Sequence, residues 1–262
     1  MHKPRIAALA LTTIAALALG ACGSDDGETT DSGAELINAG TLTVCSDVPY
    51  PPFEDFDEDS DSGFKGFDVD IVTEIAARLD LELVIQDSSF DALQSGQALN
   101  AGQCDLVASA MTITEDRAKN LDFSEGYYDS EQSLLVPAGS DIASIGDLDG
   151  KKVGVQQGTT GKAYAEENAS GAEIITFPSD AEMFQAIKAD QVDALLQDLP
   201  VNIEHTRTDK FEVVEKFATD EQYGFAMKKG NSGLVDEVDG ALDDMRGDGT
   251  YDDIYNKYFA TN

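Results

Sequence analysis

Between Cys104 and Tyr128 the chain reads CDLVASAMTITEDRAKNLDFSEGYY, the stretch that most narrows the folds open to it. Leu106–Ala110 is an apolar run of strand length, closed by a threonine-rich corner, Met111–Thr114. Thr114 is a good helix N-cap, and Glu115 and Asp116 follow in the first turn, where the helix dipole favours carboxylates. Arg117 then falls near the third helical position, at the carboxyl end of the strand. A guanidinium, threonine hydroxyls and unpaired amides converging at such a corner make a carboxylate receptor. A surface arginine paired with Glu115 or Asp116 satisfies the same spacing, and the stretch alone leaves both readings open.

Strand, polar corner and helix recur downstream. Lys152–Val155 reads as a strand, followed by Gln156-Gln157-Gly158-Thr159-Thr160-Gly161 and a helix to Asn168, an anion-nest arrangement. It is not a phosphate loop, because Gly161-Lys162 is followed by Ala163 rather than a hydroxyl residue. Glu173–Phe177 is another strand, and Ser179 with Glu182 makes a capping box for a helix to Ala189. Val192–Leu196 is a buried strand ending in Gln197-Asp198, a carboxylate facing the crevice where open α/β sheets bind ligands.

Upstream, Thr41–Ser46 is a buried strand, and the prolines of Asp47–Pro52 hold an extended loop presenting Asp47, Tyr50 and Phe53. Asp68–Leu79 is an amphipathic helix with Ile71, Val72, Ile75, Ala76 and Leu79 on one stripe. Leu81–Ile85 is the next strand, and Phe90 opens the following helix. Two C-terminal helices carry stripes at Leu234, Val238, Leu242 and Met245, and along Tyr251–Phe259. This alternation means an α/β fold. The acidic run Phe53–Gly63 fails as a calcium loop, since Ser60 or Ser62 stands where glycine is required, and reads as a solvated hairpin tip. No metal or cofactor is expected.

Met1–Ala21 reads as a targeting segment: Lys3 and Arg5 precede an apolar run, Ile6–Leu19, too short to span a bilayer comfortably. Leu19-Gly20-Ala21-Cys22 resembles the lipobox of bacterial lipoproteins, which implies cleavage before Cys22 and lipidation there; ordinary secretion with a free Cys22 is the alternative. Several acyl chains, at roughly 0.8 kcal/mol per buried methylene, would anchor it stably. Residues 22–35 read as a polar tether. The formal charge of −34 becomes more negative by two once Lys3 and Arg5 leave, which excludes nucleic-acid binding by counterion release. A salty exterior and mere solubility explain that charge equally well. Cys45 and Cys104 form an even pair in an oxidising compartment. On adjacent parallel strands, however, their offset would separate them by roughly 10 Å or more, so the expectation is against a bond.

AMTITEDRAKNLDFSEGYY (110–128) resembles the signature of the family 3 extracellular solute-binding proteins, polar amino-acid receptors of ABC importers. A second signature matches at Gly66–Leu79, GFDVDIVTEIAARL, with further likenesses at YPPFE (50–54), KKVGVQQGTTG (151–161), VDALLQD (192–198) and YGFAMKKG (223–230). The resemblance implies a type II periplasmic-binding-protein fold, two α/β lobes closing like a Venus flytrap about a two-segment hinge. Lobe 1 would comprise residues 36–130 and 223–262, and lobe 2 residues 131–222, with hinge segments near 129–136 and 219–226. It further implies a monomer outside the cytoplasm that hands an amino acid to an ABC permease. By position, the ligand carboxylate would meet Arg117, Thr112 and Thr160, with Met111 and Thr159 beside them. The ammonium would meet Asp198 and a carbonyl near Ala110, and the side chain Asp47, Tyr50, Phe90 and Gln156. Asp47 points to a basic or amide-bearing ligand. A small-carboxylate dehydratase on the same scaffold and a ligand sensor are the competing expectations.

Overall fold

A computed structural model describes residues 33–207 and 210–260. The segment assigned to targeting, Cys22 and the tether up to residue 32 lie outside the described residues.

In lobe 1, β1 (Thr41–Ser46) runs into the proline loop, and β2 (Asp55–Phe56) and β3 (Phe64–Lys65) form the hairpin whose tip is the acidic run. Then come α1 (Phe67–Arg78), β4 (Glu82–Asp87), the short α2 (Phe90–Gln94) and α3 (Gln97–Asn100), β5 (Leu106–Val107) and β6 (Leu121–Phe123). The chain crosses to lobe 2 along β7 (Tyr128–Pro137) and continues through β8 (Lys152–Gln156), α4 (Thr160–Asn168), β9 (Glu173–Phe177), α5 (Asp180–Lys188), β10 (Ala194–Asp198) and α6 (Leu199–Thr206). It returns along β11 (Phe211–Tyr223) into β12 (Ala226–Lys228), α7 (Ser232–Asp248) and α8 (Thr250–Phe259).

Each lobe therefore holds a five-stranded sheet, ordered β4-β1-β5-β12-β6 and β11-β7-β10-β8-β9. The parallel pairs β1–β4, β1–β5, β10–β8 and β8–β9 are the α/β part; strands added after a crossing run antiparallel. The two crossings pair with each other: Tyr223 lies opposite Tyr128, Gln222 opposite Asp129 and Glu221 opposite Ser130. The hinge is thus a two-stranded ribbon rather than two independent linkers.

The stripe read on α1 packs into the core of lobe 1 with Leu42, Val44 and Leu106, and Leu234, Val238, Leu242 and Met245 of α7 close it from the other side. Phe53 is fully buried among aromatic rings, including Phe67, Tyr128 and Tyr223, so the loop aromatic is core. Gly66 enters α1 at φ 139°, and a Cβ there would lie 2.0 Å from the Phe53 carbonyl oxygen. That close approach, which requires glycine, docks the hairpin against the helix.

Two local expectations are corrected. The helix after Thr114 is one 3₁₀ turn, Arg117–Lys119, although the Thr114 hydroxyl does accept from the Arg117 amide at 3.2 Å. The Leu121 strand follows at once, leaving no length for a further turn. Cys45 and Cys104 are disulfide-bonded, with Cα atoms 5.7 Å apart. The assumed register is right, since Cys45 pairs with Val107. Cys104, however, is not an extended strand residue: it leaves α3 through a turn with Gly102 at φ 66° and the Gln103 amide on the Ala98 carbonyl. The chain bends back and carries Cys104 to the level of Cys45.

Candidate functional site

The carboxyl ends of β1, β5, β8 and β10 meet across a narrow cleft. Asp47, Tyr50, Phe90, Ala110, Thr112 and Arg117 line it from lobe 1, and Gln156, Thr159, Thr160 and Asp198 from lobe 2. Met111 does not reach the cleft: its side chain is fully buried beneath it with Cys45, Leu93 and Leu121.

Arg117 is 6% exposed. Its guanidinium donates to the Thr112 carbonyl at 2.7 Å and, across the cleft, to the Gly158 carbonyl at 3.0 Å. The Phe90 ring lies 5.2 Å beneath the guanidinium carbon. Both hydrogen bonds end on neutral oxygens, and no carboxylate among the described residues is within ion-pair distance. Burial pulls its pKa down to about 10, against the attraction of Asp198 and Glu221. A buried cation with aromatic support and no anion is a receptor for one.

Thr112 and Thr160 were expected to offer both hydroxyls and amides to a ligand carboxylate. Instead both hydroxyls donate to one oxygen of Glu221, each at 2.7 Å. A hydroxyl has one proton, so neither has another to give. Their amides remain: the Thr112 and Thr160 N–H groups have no acceptor among the described residues. Thr160 opens α4, so its N–H also lies at the positive end of that helix. The Thr159 hydroxyl is committed to the turn, donating to the Gln156 carbonyl and accepting from the Lys162 amide.

Asp198 ends β10 almost fully buried. One oxygen accepts from the hydroxyls of Tyr50 at 2.8 Å and Tyr223 at 2.6 Å, the other from Gln132 at 2.5 Å. Burial, then repulsion by Glu221, raises its pKa to about 6 despite those donors. Asp47 accepts from the Gln156 amide at 2.6 Å, and burial raises its pKa to about 7. Tyr50–Asp198, Gln156–Asp47 and Arg117–Gly158 all cross between the lobes, so the cleft is closed.

Behind it lies a layer that sequence reasoning missed. Glu54 accepts from Ser109, whose hydroxyl oxygen also accepts from the Asp47 amide at 3.0 Å. Asp68 accepts from the Ala110 amide and the Tyr127 hydroxyl, each at 2.8 Å. Ala110 is held at φ 43°, a left-handed conformation that alanine adopts only under constraint. Asp68, inside the second signature, thereby aims the carbonyl expected to take an ammonium. Gln132, Glu221 and Tyr223 were missed as well. For Gln132 a signal existed: the inward phase of β7 places polar Ser130 and Gln132 in line with apolar Leu134 and Val136.

A family model for bacterial extracellular solute-binding proteins, family 3, matches residues 42–261. The chain belongs to this family. It is 38% identical over 202 residues to the "ABC transporter glutamine-binding protein GlnH" of Bacillus subtilis, covering 76% of this chain and 74% of that one. It is 34% identical over 272 residues to the "Probable histidine-binding protein" of Neisseria gonorrhoeae, covering 99% and 96%. Among solved structures, an ancestral arginine-binding protein bound to glutamine superposes with a TM-score of 0.80 at 38% identity, over 86% of this chain and all of that one. The two-lobed fold is therefore the family's, with the cleft between the lobes.

Proposed function

We propose that this chain is an extracytoplasmic receptor that captures a polar amino acid by closing its two lobes and delivers it to the permease of an ABC importer. One observation carries the reading: a buried, anion-free Arg117 and a buried Asp198 face a shared cleft from opposite lobes, with the Thr112 and Thr160 amides free beside the arginine. Opposite charges at fixed separation suit a zwitterion, whose carboxylate takes Arg117 and the two amides and whose ammonium takes Asp198 and the Ala110 carbonyl. Because the donors come from both lobes, the ligand binds the closed form better, and that difference drives closure. Asp47 and Gln156 then meet the side chain, which favours a basic or amide-bearing ligand. We further assign Cys22 as the lipid anchor on the outer face of the membrane and the monomer as the working unit.

A thermal-shift screen of the soluble chain (Cys22 replaced) against the twenty amino acids, ornithine and citrulline tests this. A ligand at a hundred times its dissociation constant adds about 2.7 kcal/mol of stability. One ligand class is expected to raise the midpoint, and Arg117→Ala to abolish the rise. No shift with any of them sinks the zwitterion assignment. An enzyme on the same scaffold has one observation in its favour, a cleft carboxyl at Asp47 poised near neutrality. His205 gives it no help, being bonded to Asp180 and stacked on Phe184. Chromatography of the ligand after incubation is expected to recover it unchanged.

A further inference from the structure

Glu221 belongs to none of the family motifs above and does not line the cleft, yet its carboxylate is the most heavily bonded group at the hinge. One oxygen accepts from the Thr112 and Thr160 hydroxyls at 2.7 Å each; the other accepts from Gln132 at 3.1 Å and from Thr219 at 2.9 Å. Thr112 belongs to lobe 1, and Thr160 and Gln132 to lobe 2. A single carboxylate oxygen on the returning crossing strand therefore ties the two lobes together at the carboxylate corner.

We propose that Glu221 is a positioning residue for ligand capture, a latch that is complete only in the closed form and that sets the Thr112 and Thr160 amides side by side toward Arg117. Three features support this. First, the two threonines lie on different lobes, so rotation about the hinge must break one of the two 2.7 Å bonds. Second, Glu221 engages the only proton of each hydroxyl, which leaves the main-chain amides as those residues' donors to a ligand. Third, Gln132 bonds both Glu221 and Asp198, so the latch also orients the carboxylate on the ammonium side. Glu221 acts through these groups and need not touch the ligand.

The test uses Glu221→Ala and Glu221→Gln. Glutamine keeps an acceptor oxygen for the two threonines but opposes the Gln132 donor, so it retains most of the latch. Small-angle X-ray scattering of the ligand-free proteins is expected to give Glu221→Ala a larger radius of gyration than wild type, with Glu221→Gln close to wild type. Calorimetry with L-arginine and L-glutamine as probes is expected to show at least a tenfold weaker Kd for Glu221→Ala, from the loss of charge-assisted bonds made only on closure. For Glu221→Gln the loss is expected to stay within about threefold. A residue that merely stabilised the hinge would lower the melting midpoint and leave radius and affinity unchanged; that result overturns the proposal. The affinity arm rests on the zwitterion reading and the scattering arm does not. If neither probe binds wild type, the affinity arm is silent and the radius alone decides the latch: equal radii for wild type and Glu221→Ala refute it.

Discussion

The two cleft carboxyls make ligand affinity a function of pH, and the profile reports the ligand's chemistry. In the closed cleft Asp47 has its pKa raised to about 7 and Asp198 to about 6, burial being the main cause for both. A ligand that places a cationic side chain on Asp47 and an ammonium on Asp198 requires both to be ionised. Its complex therefore holds fewer protons than the ligand-free closed form, so binding to that form strengthens as pH rises and levels off above neutrality. The penalty from Asp47 is about elevenfold at pH 6 and about a hundredfold at pH 5, and Asp198 adds about elevenfold at pH 5. Between pH 8 and 5 the Kd for L-arginine should rise by up to about a thousandfold, the full factor belonging to protein already closed before binding, with up to two protons released per ligand bound at the acid end. Asp47→Asn should leave only the Asp198 share, about tenfold over the same range. A neutral amide ligand such as L-glutamine should follow that shallower curve in the wild type. Calorimetry in buffers of different ionisation enthalpy counts the protons directly. An arginine Kd that stays constant from pH 5 to 8, with no proton release, refutes the claim that these carboxyls receive the ligand's cations.

Two perturbations test the layer behind the cleft. Glu54 and Asp68 are fully buried, and each has one carboxylate oxygen without a hydrogen-bond partner among the described residues. Burial raises both, Asp68 to about 7. The fold thus retains protons that the unfolded chain releases in the ordinary carboxylate range, and stability falls as pH rises through that range toward 7, by about 1.4 kcal/mol per pH unit per proton. Glu54→Gln should flatten this slope, gaining on wild type at pH 7.5 but not at pH 5 in urea melts; parallel profiles would mean the pair does not hold a proton. The Cys45–Cys104 bond spans 59 residues, so replacing both by alanine should cost about 4 kcal/mol in the same assay. An unchanged midpoint would show that the turn into β5 is held without it.

How far the sequence carried this reading depended on how local each cause was. Strand–corner–helix units were legible because apolar runs, caps and glycines sit within a few residues of each other; Glu173–Phe177 has the bounds read from the sequence. The positions of Arg117 and Asp198 were legible for the same reason, each ending a unit at its carboxyl edge. What escaped depends on the path of the chain between units. The disulfide turned on whether Cys104 is extended or lies in a turn, which hydrophobic spacing does not encode. Glu221 looked like one more acid in an acidic chain, because its four donors come from Thr112, Gln132, Thr160 and Thr219. The Thr112 and Thr160 hydroxyls were given to the ligand only because their true acceptor lies on another strand.

Those misassigned hydroxyls bear on the ligand itself. With Glu221 counted, the closed cleft and its latch bring three carboxyl groups, Asp47, Asp198 and Glu221, toward one guanidinium. Acidic and basic groups removed from water are stable together only when paired, and the protein meets the shortfall of cations in part by holding Asp47 and Asp198 near their titration points. A zwitterion brings one charge of each sign and leaves the imbalance as it was. An amino acid with a cationic side chain brings one more positive charge, to a carboxylate whose present partner is the neutral amide of Gln156 at 2.6 Å. Within the polar amino acids that fit the cleft, the electrostatics favour the basic ones, and the steeper of the two pH profiles is the one expected.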